Sequence, residues 1–224
     1  MSTRKKIAPN AIGTRNESSL HRALKFEYAG AGGKTEAAAF SFVADGITKS
    51  GEYIEVQTGS FAPLKKKVTA LSKGAKIRII HPIAVTKILE VYSPTKTKGE
   101  KYGKLLYRRK SPLKGTLWNL FDALIHAPEL PLVKGVTIEA VLADITEIRV
   151  KDGKGSWRRK GISIKDRCLT CWRECIVFSK KSDYLTFIPF KKNEEFTTTL
   201  LAARASTDKH TARKALYVLT KIGA

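Results

Sequence analysis

Residues 38–57 read AAFSFVADGITKSGEYIEVQ, two apolar stretches separated by a loop with glycine at each end. The apolar and β-branched residues predict two strands, at 38–43 and 53–57, joined by a loop at 46–51. In the second strand, Ile54 and Val56 alternate with polar residues, so one face is predicted to pack against a core. This hairpin is the centre from which the rest of the fold is predicted.

The predicted hairpin carries two carboxylates. Asp45 ends its first strand, and Glu55 shares a face of the second strand with Gln57, because alternate strand residues point the same way. Asp45 and Glu55 would converge at the end of the hairpin. Carboxylate and carbonyl oxygens are ligands that Mg²⁺ prefers, so the pattern indicates a metal site. An Asp before Gly is equally typical of a turn, and the Glu-x-Gln pattern of a half-exposed strand.

The elements on either side of the hairpin form a specific series. A helix is predicted at 17–28, opening with Glu17, and His21 lies on the same helix face. A second helix is predicted at 63–72, with proline in its first turn and Gly74 after its end. A buried strand follows at 76–80. The predicted order is therefore helix, strand, strand, helix, strand.

The series resembles the core of the PD-(D/E)XK nucleases, whose fold is the restriction-endonuclease-like fold. The residues that carry the resemblance are Glu17, Asp45 and Glu55-Val56-Gln57, within residues 13–82. The resemblance implies an α/β fold, a mixed sheet flanked by helices. It also implies a nuclease, a hydrolase that cleaves a nucleic-acid phosphodiester with Mg²⁺ or Mn²⁺.

The resemblance also implies roles for individual residues. Asp45 and Glu55 would be the metal ligands, with Gln57 beside them, and Glu17 would support the water or a second metal ion. Gln57 stands where the family has a lysine, and an amide cannot stabilise a pentavalent phosphate as an ammonium does. Some members place that lysine on the following helix, where Lys65 or Lys67 would reach back toward Glu55. A core that has lost its lysine would instead make a non-catalytic DNA-binding protein.

Residues 30–35 (GAGGKT) suggest a phosphate-binding loop but lack its spacing. A Walker A loop needs glycine where Tyr28 stands, and a dinucleotide fingerprint needs glycine where Thr35 stands. The segment also follows a predicted helix rather than a strand. We therefore expect a loop that ends the helix, and no nucleotide cofactor.

The C-terminal 29 residues, 196–224, predict two short helices with a tight turn. Thr197 would cap the first helix and Thr207 the second. The pattern is typical of a helix-turn-helix and resembles a winged-helix DNA-binding module. An αα-hairpin in a partner interface would have a similar pattern. The second helix would present side chains to DNA near its start: Lys209, His210, Thr211, Arg213 and Lys214.

Positive charge dominates the chain, with 42 Lys and Arg against 20 Asp and Glu, a net charge of +22. Such a protein binds polyanions, so DNA is the expected partner; a structural RNA-binding role and an anionic membrane surface are the alternatives. The charge concentrates in residues 96–114 and 149–181. Within the second segment, a turn at 155–161 carries Trp157 and three cations suited to phosphate contacts: Arg158, Arg159 and Lys160.

Three cysteines, Cys168, Cys171 and Cys175, are spaced three and four residues apart. This spacing predicts one face of a helix at 164–179, the first helix of the C-terminal module, with the thiols in its core. No fourth His or Cys nearby completes a zinc or iron–sulfur site.

Composition also predicts where and how the protein acts. Few cysteines, no secretory signal and no long apolar run predict a cytoplasmic protein, nucleoid-associated if prokaryotic, without a membrane partner. The predicted domains are a flexible basic arm at 1–12, a nuclease-like domain at 13–150 and a winged-helix-like domain at 151–224. Cutting both DNA strands needs two active sites, which favours a homodimer.

Overall fold

The computed structural model describes residues 17–39, 42–95, 97 and 99–224. The predicted basic arm at 1–12 lies outside the described residues, as do two lysines of the 96–114 segment. The helices are α1 (Ser19–Ala29), α2 (Leu64–Leu71), α3 (Leu120–Leu124), α4 (Thr198–Arg204) and α5 (Lys209–Ile222). The strands are β1 (Lys34–Ala39), β2 (Phe42–Ile47), β3 (Tyr53–Val56), β4 (Ile77–Tyr92), β5 (Leu105–Lys110), β6 (Val136–Val150) and β7 (Ser163–Phe178).

The strands form one seven-stranded mixed sheet in the order β1-β2-β3-β4-β6-β7, with β5 paired to β4. β1, β2 and β3 are antiparallel neighbours, whereas β3 and β4 are parallel and joined through α2. The chain is therefore an α/β protein with a mixed sheet, as the sequence predicts.

The residues divide into two compact units that are not continuous in sequence. Of the described residues, unit 1 comprises those up to Ala23, Ala84–Gly115 and Leu142–Glu174, and unit 2 comprises Leu24–Ile83, Thr116–Val141 and Cys175–Ala224. Both units therefore combine residues from either side of the predicted boundary at residue 150.

The helices of unit 2 bury apolar residues at helical spacing. In α2, Leu64, Val68 and Leu71 are buried, which places one face of this helix in the core. The chain leaves α1 through Gly30, whose φ of +68° is a left-handed conformation that glycine adopts without strain. The loop at 30–33 thus ends the helix, as predicted.

The first strand of the predicted hairpin differs from the structure. Instead of one strand at 38–43, the structure has β1 ending at Ala39 and β2 beginning at Phe42. Apolar residues run through both strand ends, so their pattern alone does not mark the break. Asp45 consequently lies inside β2, a strand that pairs with β1 and β3, rather than at a strand end.

The predicted helix at 164–179 is wrong, because these residues form β7. The segment is rich in β-branched, aromatic and cysteine residues, which suit a strand beside another strand. Within unit 1, Thr146 and Thr170 hydroxyls lie 3.0 Å apart, and Arg173 donates two hydrogen bonds of 2.7 Å to Asp144. These contacts join β6 and β7. Alternation along a strand places Cys168 on the opposite face from Cys171 and Cys175.

Candidate functional site

Two carboxylates face each other across the central strands of unit 2. Gly46 of β2 pairs with Ile54 of β3, so one step further along the ladder Asp45 lies opposite Glu55. The Val56 N–H donates a hydrogen bond of 2.8 Å to Asp45 Oδ2, which orients this carboxylate toward β3. The predicted convergence of the two acids is therefore present, on paired strands rather than at a hairpin end.

Glu55 is buried, with 2% of its surface exposed. Loss of water around the carboxylate raises the pKa of Glu55 to about 7, and the Asp45 charge adds to this, whereas Lys67 acts in the opposite direction. The sequence pattern placed Glu55 on a half-exposed face. In the structure both faces of β3 are covered, since the consecutive residues Ile54, Glu55 and Val56 are all buried.

Lys67 of α2 neutralises this buried acid. Its ammonium donates hydrogen bonds of 2.6 Å to Glu55 Oε2 and 2.6 Å to the Val43 carbonyl. Lys65, two residues earlier, instead pairs with Glu129 at 2.9 Å on the half-exposed surface. The helix turns by about 200° over two residues, so only one of the two lysines faces the strands. The structure thus distinguishes Lys67 from Lys65, which the sequence left as alternatives.

Gln57 is engaged by its own neighbours. Its amide Nε2 donates a hydrogen bond of 2.5 Å to the Ser60 carbonyl, and its main-chain carbonyl accepts one of 2.6 Å from His81 Nδ1. Burial lowers the pKa of His81, so the ring is held neutral against the strand end. Both contacts tie the end of β3 to the loop and to β4.

Two residues of the cluster were missed from the sequence, Lys25 and Glu36. Lys25 of α1 is only 5% exposed; its ammonium hydrogen-bonds Glu36 and lies 3.9 Å from Asp45 Oδ1. Glu36 lies between Thr35 and Ala37 of β1, which pair with the residues on either side of Asp45. Its φ of +52° is strained for a residue with a side chain. The sequence signal for Lys25 was its position next to Leu24, an apolar residue of the predicted helix at 17–28. Nothing in the sequence indicates the backbone conformation of Glu36.

Glu17 belongs to unit 1, whereas Asp45 and Glu55 belong to unit 2. It lies 3.5 Å from His21 Nε2, one helical turn along the chain, so the two predicted neighbours do share a face. The predicted support of the metal site by Glu17 remains a prediction.

The carboxylates of unit 2 suit a hard cation. Among the described residues, no three His, Cys, Asp or Glu side chains assemble as a metal site. Mg²⁺ is commonly held by one or two carboxylates, with waters and substrate phosphate completing its shell. Asp45 and Glu55 supply such a pair, and Lys25 and Lys67 balance their charge in this structure. The donor set therefore fits Mg²⁺ or Mn²⁺.

The C-terminal helices form a two-helix turn on a small core of their own. Leu201, Ala202 and Ala212 are buried together, with Trp118 and Phe196 packed against them. Thr197 caps α4 as predicted, accepting the Leu200 N–H. The predicted first helix of this module, at 164–179, is absent because residues 163–178 form the strand β7. In its place, α3 contacts α5, and Asp122 of α3 accepts a hydrogen bond of 2.7 Å from Lys214.

The five residues predicted to face DNA on α5 have different environments. Asp208, not Thr207, caps the helix, because its carboxylate accepts the His210 and Thr211 N–H groups. Thr211 is buried, and its hydroxyl donates a hydrogen bond of 2.6 Å to Asp208. Lys214 is paired with Asp122. The three that are exposed are Lys209, His210 and Arg213.

The predicted phosphate-contacting turn lies in unit 1, in the loop between β6 and β7. Arg158 and Lys160 are exposed. Arg159 is half-buried, and its Nε donates a hydrogen bond of 3.2 Å to the Ile162 carbonyl. Trp157 beside them is exposed as well.

The fold and this cluster define the class of protein: an α/β protein with a carboxylate–lysine cluster around the buried Glu55 on a mixed sheet. The chain belongs to the DUF8091 family, a domain of unknown function, whose model matches residues 18–179. That range contains the complete sheet and the cluster, and it ends before α4 and α5.

One relative is similar to this chain in sequence. An uncharacterized protein of Treponema pallidum (strain Nichols) is 25% identical over 158 residues, which cover 70% of this chain. The aligned part spans 60% of the relative's own length. No solved structure matches the chain. Within the described ranges, none of the helices combines the length and the apolar character needed to cross a membrane.

Proposed function

We propose that the protein is a metal-dependent endonuclease that hydrolyses phosphodiester bonds in DNA. The observation that carries this proposal is the cluster of Asp45, Glu55 and Lys67 on β2, β3 and α2. Two carboxylates suited to Mg²⁺, and an ammonium hydrogen-bonded to one of them, Glu55, are the groups that phosphodiester hydrolysis needs.

The order of elements supports the same proposal. Helix α1, the antiparallel strands β2 and β3, helix α2 and the parallel strand β4 follow one another in the order of the series that resembles the restriction-endonuclease-like core, with β1 as an additional strand before β2. The lysine missing at Gln57 is replaced, in this reading, by Lys67 one element later.

Each residue of the cluster has a role in this mechanism. Asp45 and Glu55 would hold the metal ion, which when bound lowers the pKa of water and stabilises charge on the scissile phosphate. Lys67 favours the ionised form of Glu55 and so opposes the effect of burial on its pKa. With substrate present, its ammonium would neutralise negative charge on the phosphorus oxygens. Lys25 orients Asp45, and the Val56 N–H keeps one carboxylate oxygen fixed.

A plasmid-cleavage assay tests this proposal. Supercoiled plasmid is incubated with the protein in Mg²⁺, Mn²⁺, Ca²⁺ or EDTA, and nicked and linear products are measured. We expect products with Mg²⁺ or Mn²⁺ and none with EDTA. Lys67→Ala should lower the cleavage rate by about 100-fold, because it removes the ammonium that stabilises charge in the transition state.

Lys65→Ala is the matched control for this variant, since it removes an equal charge from the same helix but from the pair with Glu129. We expect it to cleave at the wild-type rate. Absence of cleavage with every metal, or equal loss in both lysine variants, would contradict the proposal.

Binding of the duplex by α5 is tested separately. Lys209 and Arg213 are exposed near the start of this helix, where a recognition helix meets the groove. The double variant Lys209→Ala/Arg213→Ala should weaken binding to duplex DNA and reduce the slope of log K against log salt by about 2. Fluorescence anisotropy with a labelled duplex at several salt concentrations measures both quantities.

A control with the same loss of charge is Lys73→Ala/Lys76→Ala, two exposed lysines between α2 and β4. We expect a smaller change of the slope here. If the two double variants have equal slopes, binding depends on net charge alone, and α5 is not a recognition helix.

The second candidate function is a non-catalytic DNA-binding protein. The observation that favours it is Gln57, which stands where the resembling nucleases have lysine and which is engaged with Ser60. Retained duplex binding without cleavage under any metal would support this candidate.

A further inference from the structure

Two basic loops follow neighbouring strands at one end of the sheet in unit 1. β4 ends at Tyr92 and β6 at Val150, and the Lys151 N–H donates a hydrogen bond of 3.0 Å to the Tyr92 carbonyl. The loop at 151–162 therefore begins beside the loop that follows β4. Each of these loops overlaps one of the two most basic segments of the sequence, 96–114 and 149–181.

The loop at 151–162 has a defined conformation. Asp152 accepts hydrogen bonds of 2.7 Å from the Ser163 hydroxyl and 3.1 Å from the Lys154 N–H, and it lies 2.7 Å from Lys165 Nζ. Lys165 and these donors hold the pKa of Asp152 below its usual range. Where the two sides of the loop come together, the Gly155 N–H donates a hydrogen bond of 3.0 Å to the Gly161 carbonyl.

Gly155 is required by this closure. A Cβ at this position would lie 1.9 Å from the Ile162 carbonyl oxygen, so another residue would force the backbone apart. The loop is thus a closed turn whose tip is held by main-chain hydrogen bonds, not an extended flexible segment.

Trp157 stands at the tip of this loop with 83% of its surface exposed. A large apolar side chain so exposed gains almost nothing from folding, since its surface stays in water. Arg158 lies with its guanidinium carbon 5.5 Å from the indole centroid, and Lys160 follows in a left-handed conformation. An indole ring is therefore presented to solvent among cations on a fixed support.

We propose that this loop binds single-stranded DNA, stacking an unpaired base on Trp157 while Arg158 and Lys160 contact the flanking phosphates. A base in a duplex has both faces covered by its neighbours, whereas an unpaired base offers a free face to an indole. The inference deepens the proposed function and rests on it in one respect, that the ligand is DNA. It directs the protein to DNA that contains an unpaired stretch.

Charge favours DNA over a membrane surface as the occupant. Residues 151–162 contain five Lys and Arg and one Asp, and Trp157 and Ile162 are their large apolar side chains. Insertion into a bilayer surface needs a broad apolar face, which this loop does not supply. A single indole ring flanked by cations is complementary to a single unpaired base flanked by phosphates.

Binding of a fluorescently labelled single-stranded 20-mer and of the matching duplex, both in EDTA, tests this inference. Trp157→Ala should weaken binding of the single strand by roughly 5- to 150-fold, the range that one base–aromatic stack contributes. Binding of the duplex should stay unchanged. Trp157→Phe should restore most of the affinity, because phenylalanine keeps an aromatic face.

Leu113→Ala is the control, since Leu113 is also a highly exposed apolar residue of unit 1 but lies outside the loop. Circular dichroism and thermal melting of each variant verify its fold. Equal single-strand affinity in Trp157→Ala and wild type would overturn the inference. Trp157-dependent binding to phosphatidylserine vesicles without any binding to the single strand would overturn it in favour of a membrane.

The use of EDTA separates this inference from the proposed cleavage. A protein that binds the single strand through Trp157 but never cleaves DNA contradicts the nuclease proposal and leaves the stacking loop established. A protein that cleaves plasmid but binds the single strand equally with and without Trp157 contradicts the stacking loop alone.

Discussion

Replacing Asp45 with asparagine is expected to reduce metal-dependent DNA cleavage by about 1000-fold, the upper range for removing one group that stabilises transition-state charge. The amide loses the negative charge that would hold the cation. It keeps a carbonyl oxygen, so it still accepts the Val56 N–H that now bonds Asp45 Oδ2 at 2.8 Å. The fold should therefore persist while the activity is lost. Product formation over time from supercoiled plasmid measures the effect.

Glu129→Gln is the matched control for Asp45→Asn. It also converts a carboxylate to an amide beside a lysine of unit 2, but in the half-exposed pair with Lys65. We expect cleavage at the wild-type rate and an unchanged melting temperature. If Asp45→Asn cleaves as fast as this control, Asp45 is not a metal ligand and the cluster is structural.

Removal of the charge on Glu147 is expected to have the largest effect on stability. Glu147 is 1% exposed in unit 1 and accepts hydrogen bonds of 2.7 Å from Arg149 Nε and 2.9 Å from Arg167 Nε. Lys87 lies 3.9 Å away. Glu147→Gln leaves three cations facing one another without the acid, and should lower the free energy of unfolding by about 3 kcal/mol. Urea denaturation followed by circular dichroism measures this loss.

The difference in unfolding free energy between the wild type and Glu147→Gln should depend on pH in one direction. Burial alone would raise the pKa of Glu147, but hydrogen bonds from Arg167 and Arg149 hold it below the ordinary value of 4.5. A carboxyl with a lowered folded-state pKa stabilises the fold above its unfolded pKa and loses that contribution in acid. The advantage of the wild type over Glu147→Gln should therefore be complete near pH 7 and shrink as the pH falls below about 4.5.

Asp144→Asn supplies the comparison for Glu147→Gln in the same unit. Asp144 pairs with Arg173 through two hydrogen bonds of 2.7 Å, but Arg173 is exposed, and exposed pairs contribute less than about 1 kcal/mol. Equal losses in the two variants would show that burial does not strengthen the Glu147 network.

Local patterns predicted much of the element order. Helices α1, α2, α4 and α5 follow from apolar residues at helical spacing and from residues that begin or end a helix, such as Pro63 and Thr197. These signals act within a few residues, so one sequence reveals them. The cap of α5 was misassigned by one residue, because Thr207 and Asp208 are both good caps and the choice depends on the local backbone.

Residues 163–178 required the tertiary structure. Their spacing fits a helical face as well as a strand, and the pairing with β6, including Asp144 with Arg173, selects the strand. Long-range pairing of this kind adds ladder hydrogen bonds that a sequence pattern does not contain. Because this pairing makes the segment a strand, the cysteines lie on two faces of a strand rather than on one helical face. For the same reason the predicted first helix of the C-terminal module is absent.

The candidate site also has parts that the sequence indicated and parts that only the tertiary structure decided. The sequence by itself identified Asp45 and Glu55 as candidate acids and Lys65 or Lys67 as the candidate lysine on the following helix, because residue type and strand alternation are local properties. Only the tertiary structure decided that Lys67 rather than Lys65 meets Glu55, and that Lys25 and Glu36 join the cluster. These contacts depend on how α1, α2 and β1 pack around β3. That packing also removes water from Glu55, and the loss of water is what raises its pKa.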